Sequence, residues 1–138
     1  MTDNKTESEQ LKDVAFAAME NAYAPYSKFR VGSAVRATSG EIIAGCNVEN
    51  AAYGEALCAE RVAIAAAVAQ GLKSFEEIAI ASESDEPSPP CGSCRQTMSE
   101  FAPDLLVSSY ARNGKQATWK LSELLPEAFA LNHLRGRL

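Results

Sequence analysis

Apolar residues at Leu11, Val14, Ala15, Ala18, Met19 and Ala22 recur every three or four positions. That spacing predicts an amphipathic helix over 9–23, stopped by Pro25. The period then changes. Val31, Ser33 and Val35 alternate with Gly32, Ala34 and Arg36, and Thr38-Ser39-Gly40-Glu41 reads as a turn, so a β-hairpin is expected to follow. Residues 47–56 keep neither period and read as a loop. Residues 58–70 are helical and rich in alanine, with Gly71 at the position that closes a helix. The run 76–82 predicts a short buried strand, whereas the prolines at 87, 89 and 90 forbid regular structure over 85–90. A second short helix over 91–101, strands over 104–111 and 116–120 around the turn 112–115, and a helical turn at 121–125 complete the pattern.

Strands alternating with helices predict one α/β layered domain around a mixed sheet. The chain has 138 residues, which suits a single domain over 1–138, with 1–8 expected to be disordered and 131–138 to form a C-terminal tail. The 46% hydrophobic content is enough for a sizeable core. A net charge of −5 argues against broad binding to nucleic acid or to anionic membranes, and the two arginines of the ending Leu134-Arg135-Gly136-Arg137-Leu138 make only a weak basic patch. The start carries no basic and apolar signal pattern. The longest apolar run, Val62 to Ala69, is far too short to span a bilayer. The expected location is the cytoplasm.

In a reducing compartment, the four cysteines at 46, 58, 91 and 94 read as metal-binding or catalytic more readily than as disulfides. His133 is the only histidine, which argues against serine or cysteine catalysis with a histidine base. Cys91 and Cys94, at i and i+3, would point to one side of the first turn of a helix and suit two ligands of one tetrahedral ion. Taken alone, a Cys-x-x-Cys pair also fits a redox dithiol, half of a zinc ribbon or plain core. Cys58 is a candidate third ligand, leaving one coordination position for water, as in catalytic zinc sites. Glu60 can face the same site only if Cys58 lies near the N-cap, because i and i+2 on a regular helix diverge by about 200°. Two helix N-termini aimed at the metal would favour thiolates there. Arg61 and Arg95 are both candidates to offset the thiolate charge. Zinc deaminases combine His-x-Glu with Pro-Cys-x-x-Cys. Here Cys58-Ala59-Glu60 precedes Pro90-Cys91-Gly92-Ser93-Cys94, with cysteine in the place of histidine.

The stretches AYAPYSKFRVGSAV, GCNVENAAY, CAER, PCGSCRQ and ELLPEAF, in that order, closely resemble the homotetrameric cytidine deaminases over roughly residues 10–130. The resemblance implies a three-layer α/β/α domain, one Zn2+ per subunit, a nucleoside substrate, and a homotetramer whose pockets are completed by neighbouring subunits. By position it makes Cys58, Cys91 and Cys94 the zinc ligands, Glu60 the proton shuttle, and Arg61, rather than Arg95, the donor to the thiolates. It assigns Asn47 and Glu49 to the ribose hydroxyls, Phe29 to the pyrimidine ring and the Ala59 backbone to the base carbonyl. It assigns Ala51, Tyr53 and Phe129 to a neighbouring subunit's site. The implied reaction is hydrolysis of cytidine and deoxycytidine to uridine and deoxyuridine with loss of ammonia. Pro89 departs from the serine usual in this family; it keeps the carbonyl and loses the N–H. Glu55 is expected near the pocket mouth. The other readings are a deaminase of a modified pyrimidine or antibiotic nucleoside, a structural zinc module, and a redox dithiol. Cys46 reads as a small buried hydrophobe and Trp119 as a residue at a sheet edge or interface.

Overall fold

A computed structural model describes residues 4–131. Helix α1 spans Glu7–Met19. Thr6 caps it: its side chain accepts from the Glu9 backbone N–H at 3.1 Å, and Glu9 accepts from the Thr6 N–H at 3.2 Å. The helix therefore starts inside the segment expected to be disordered, and the cap is the reason. It also stops earlier than the apolar spacing suggests. The Tyr23 N–H donates to the Asn47 carbonyl at 2.9 Å, and the Tyr23 carbonyl accepts from Glu49 at 2.8 Å. This pairing with a distant segment draws residues 20–23 out of the helix.

Strands β1 (Val31–Ala37) and β2 (Ile42–Cys46) form the expected hairpin. After a 3₁₀ turn at Tyr53–Glu55 come α2 (Ala59–Ala69), β3 (Phe75–Ser82), α3 (Gly92–Phe101), β4 (Leu106–Tyr110), β5 (Gln116–Lys120) and α4 (Leu121–Leu124). Gly71 follows α2 at φ +87°, a backbone that glycine adopts without strain. The strand order is β2-β1-β3-β4-β5. Only β3 and β4 are parallel, joined through α3, so the sheet is mixed as expected.

Helices cover both faces. On one, Leu11 and Ala15 of α1 pack on Ala34, Ala79 and Ala81. On the other, Ala63, Ile64 and Ala67 of α2, together with Cys94 and Met98 of α3, pack on Val35, Ile78, Ile80 and Val107. Two glycines allow the helices to come this close. A Cβ on Gly32 would lie 1.9 Å from the Ala15 carbonyl oxygen, and one on Gly45 would lie 2.4 Å from the Ala63 nitrogen. The result is a single three-layer α/β/α domain. Cys46 is half-buried in β2, and Trp119 is half-buried on the edge strand β5. His133 and the tail beyond residue 131 lie outside the described residues.

Candidate active site

Cys58 and Cys91 are the N-cap residues of α2 and α3, each with an extended backbone. The non-helical dihedrals at Cys58 remove the divergence that would otherwise separate it from Glu60. Cys94 sits one turn into α3, and its backbone N–H points at the Cys91 sulfur, 3.5 Å away. The Cys91 Sγ lies 3.8 Å from that of Cys58 and 3.4 Å from that of Cys94. A tetrahedral ion with Zn–S bonds of about 2.3 Å separates its sulfurs by about 3.8 Å. The three sulfurs lie within 4.8 Å of one another and form the one such ligand group among the described residues. A set of soft thiolates at these separations fits Zn2+, and three ligands leave a tetrahedral ion one open position.

The local electrostatics favour a thiolate at Cys58. Hydrogen bonding with Cys94 and then Arg61 pushes the Cys58 thiol down to about 5, whereas the same bonding with Cys58, reinforced by burial, pushes Cys94 up. Arg61 Nη2 stands 3.7 Å from the Cys58 sulfur and also donates to the Ala56 carbonyl at 3.3 Å. Arg95 does neither. Its Nε–H donates to the Pro90 carbonyl and its Nη1 to the Leu124 carbonyl, each at 2.8 Å. It braces the loop before α3, and Arg61 is the arginine at the sulfurs.

Glu60 is 5% exposed. Burial pushes its carboxyl up to about 7, against a smaller downward pull from its own backbone N–H. A carboxyl in that range both accepts and donates protons near neutrality.

Glu60 opens onto a cavity of about 440 Å3, also lined by Asn47, Glu49, Tyr53, Ala59, Arg61, Cys58 and Cys91. Asn47 and Glu49 are both engaged with the backbone. The Asn47 oxygen accepts from the Val31 N–H at 2.9 Å, and its amide nitrogen donates to the Phe29 carbonyl at 2.9 Å. Glu49 accepts from the N–H groups of Tyr26 and Ser27 at 2.9 and 3.0 Å, and from the Ser27 hydroxyl. The Ser27 bonds hold its carboxylate well below the usual range. The two side chains thus shape the cavity rim and keep a charge there.

Phe29, Ala51, Phe129 and Glu55 are not among the residues lining this cavity. Phe29 touches the site through its carbonyl, bonded to Asn47. Phe129 is 66% exposed, with its carbonyl bonded to Gln96. Pro89, marked in the sequence as the departure from the family's serine, lines the cavity, whereas Val31, Ile80 and Ser88, which no motif singled out, reach it through sheet register and the loop before α3.

Residues 5–109 match the family model described as the cytidine and deoxycytidylate deaminase zinc-binding region. The chain is 44% identical over 116 residues to a cytidine deaminase of Halalkalibacterium halodurans, covering 83% of this chain and 88% of that one. It is 36% identical over 114 residues to a blasticidin-S deaminase of Bacillus cereus, covering 77% of this chain and 81% of that one. The crystal structure of a cytidine deaminase from Burkholderia pseudomallei superposes with a TM-score of 0.85 at 44% identity, covering 88% of this chain and 98% of that one.

Proposed function

We infer that this chain, which belongs to the cytidine and deoxycytidylate deaminase family, is a zinc-dependent cytidine deaminase. It hydrolyses cytidine and 2′-deoxycytidine to uridine and 2′-deoxyuridine, releasing ammonia, in pyrimidine salvage. The observation that carries this reading is the buried Glu60 carboxyl in one cavity with the Cys58, Cys91 and Cys94 cluster. A purely structural zinc site has no use for such an acid beside an open position.

Cys58, Cys91 and Cys94 would hold the metal. Bound there, zinc supplies Lewis acidity that makes a water molecule nucleophilic near neutral pH. Glu60 takes a proton from the attacking water and delivers it to N3 of the base, so that C4 becomes electrophilic. Glu60 then takes the remaining proton from the oxygen added at C4 and passes it to the exocyclic amine, so that the C4–N bond breaks, ammonia departs and that oxygen becomes the product carbonyl. Arg61 offsets thiolate charge at Cys58, which would otherwise make the water less acidic. The Ala59 backbone receives the base carbonyl, and Phe29 packs against the pyrimidine. Asn47 and Glu49 hold the sugar hydroxyls with their remaining hydrogen-bonding capacity. A carboxylate at Glu49 repels phosphate, which favours a nucleoside over a nucleotide.

The resemblance also supports a homotetramer in which Ala51, Tyr53 and Phe129 complete a neighbour's pocket. The exposure of Tyr53 and Phe129 is consistent with that role. So is an apolar hollow on the outer face of α2, lined by Leu57, Val62, Ala65, Val68 and Phe101. No helix among the described residues is long and apolar enough to cross a membrane, and the acidic chain argues against broad binding to nucleic acid or anionic lipid.

The 36%-identical blasticidin-S deaminase supports a second reading with the same chemistry on an antibiotic nucleoside. A spectrophotometric assay with cytidine, deoxycytidine, blasticidin S, adenosine, cytosine and CMP, run alongside zinc quantification, tests both. Turnover of cytidine and deoxycytidine is expected. Zinc-loaded protein that turns over blasticidin S alone would establish the second reading, and one inert to every compound would leave a structural zinc module.

A further inference from the structure

Helix α3 has two of the three sulfurs at its start, and the two residues after Cys94 hold a distant piece of chain. Cys94 and Met98 are buried against the sheet. Successive helix residues turn by about 100°, so Arg95 points to the side of α3 and Gln96, about 200° from Cys94, points away from the sheet. Both reach the run of chain around and beyond the end of α4. Arg95 Nη1 donates to the Leu124 carbonyl at 2.8 Å, while its Nε–H donates to the Pro90 carbonyl, next to the ligand Cys91, at the same distance. The Gln96 side-chain amide donates to the Phe129 carbonyl at 3.0 Å.

The chain between these two anchors has little else to hold it. Residues 125–129 form neither helix nor strand, and among the described residues no backbone hydrogen bond ties 126–129 to the rest of the fold. Glu127 takes φ +52°, in the left-handed region that a residue with a Cβ rarely adopts unless its surroundings hold it there. Phe129 follows two residues later, and it stands out at 66% exposure.

An exposed ring at the end of such a segment contributes to binding in proportion to how well its backbone is fixed. Ordering the backbone of one residue costs about 1–2 kcal/mol. A group already ordered in the free protein binds more tightly than one that must be ordered on binding.

We propose that Arg95 and Gln96 are positioning residues that fasten residues 124–129 to the metal-bearing helix and so present the Phe129 ring, in a fixed place, to the nucleoside pocket of a neighbouring subunit. This rests on the cytidine deaminase reading above and on its homotetramer. The clasp is shared: one guanidinium spans the loop that leads into Cys91 and the segment that leads to Phe129. The metal centre of one subunit and an aromatic wall of the next are thereby held by the same stretch of α3.

The test uses the full-length, zinc-loaded chain. Gln96→Glu keeps the size of the side chain and removes the donor that faces the Phe129 carbonyl. KM for cytidine is expected to rise by about 3- to 10-fold, the scale of one neutral hydrogen bond, with zinc content and kcat near wild type, because neither the sulfurs nor Glu60 is disturbed. Phe129→Ala should raise KM as well, and adding Gln96→Glu to Phe129→Ala should raise it no further. Amide hydrogen exchange over 124–129 should quicken in Gln96→Glu and in Arg95→Lys, which keeps the charge but not the span between two carbonyls. Sedimentation velocity sets the concentration at which each variant has the wild-type assembly; should Gln96→Glu not assemble, Gln96→Leu, which drops the donor without adding charge, takes its place. An unchanged KM in Gln96→Glu, where Phe129→Ala raises it, overturns the proposal. So does an equal rise in KM when Gln96→Glu is added to Phe129→Ala, or unchanged exchange over 124–129. Phe129→Ala with a wild-type KM removes the neighbouring-pocket reading, and a wild-type chain inert to cytidine removes the functional reading; the proposal falls with either.

Discussion

Cys58 and Cys91 are 33 residues apart in the chain, and their sulfurs stand 3.8 Å apart, each at the start of its own helix. The metal would therefore tie α2 to α3. Cys91→Ala should lose both zinc and deaminase activity. Chelation of the wild-type protein should lower its melting temperature, since metal binding that requires the folded site contributes to folding stability. Full zinc occupancy in Cys91→Ala, measured by elemental analysis, would exclude Cys91 as a ligand.

Glu60 is buried beside the sulfurs and takes no part in the three-sulfur group. Glu60→Gln should retain zinc and lower kcat by about 10²- to 10⁴-fold, the scale of a positioned acid–base group. Steady-state kinetics with near-normal turnover would remove the proton-shuttle role.

Glu49 joins two functions, carrying a charge at the rim and tying down the Tyr26–Ser27 turn. Glu49→Ala should weaken nucleoside binding more than it disturbs metal content. Unchanged kinetics with cytidine would mean that the sugar is held elsewhere.

On the opposite face of the sheet, Glu77 is 1% exposed and bonds to Ser8 at 2.9 Å, Ser108 at 3.0 Å and Arg36 at 3.1 Å. Glu77→Leu leaves the largely buried Arg36 without this partner and should cost about 3–5 kcal/mol, the scale of a broken buried ion pair. Denaturant unfolding measures it. The remaining exposed acids near Arg36, Glu7 and Glu76, make the lower end of that range the more demanding test.

Gly45→Ala would drive a Cβ to within 2.4 Å of the Ala63 nitrogen. Backbone cannot yield as a flexible side chain does, so a loss of at least about 2 kcal/mol is expected. The same change should reduce activity, because α2 carries Cys58 at its start and Glu60 in its first turn. A variant with wild-type unfolding and activity would show that α2 can shift without consequence.

Most elements were legible because their causes are local. The spacing of Leu11, Ala15 and Ala18, the turn around Gly40, the stop at Gly71 and the prolines of 87–90 each act within a few residues. The cap of α1 was equally local, since Thr6 and Glu9 form the capping pair, yet a polar, acidic start hid it. The end of α1 was not local: apolar spacing continues to Ala22, but Tyr23 is recruited by residues 47–49.

By itself, the sequence determined the kinds of donor and acid present, their position at the starts of two helices, and the family to which they belong. Only the tertiary structure decided which groups meet. It brings Cys58 to Cys91, turns Arg95 towards carbonyls instead of sulfurs, and leaves the Phe29 and Phe129 side chains outside the cavity of the single chain. The physical reason is range. Helix and turn signals act over three or four residues, whereas these meetings follow from strand register and from two glycines that let helices lie close on the sheet.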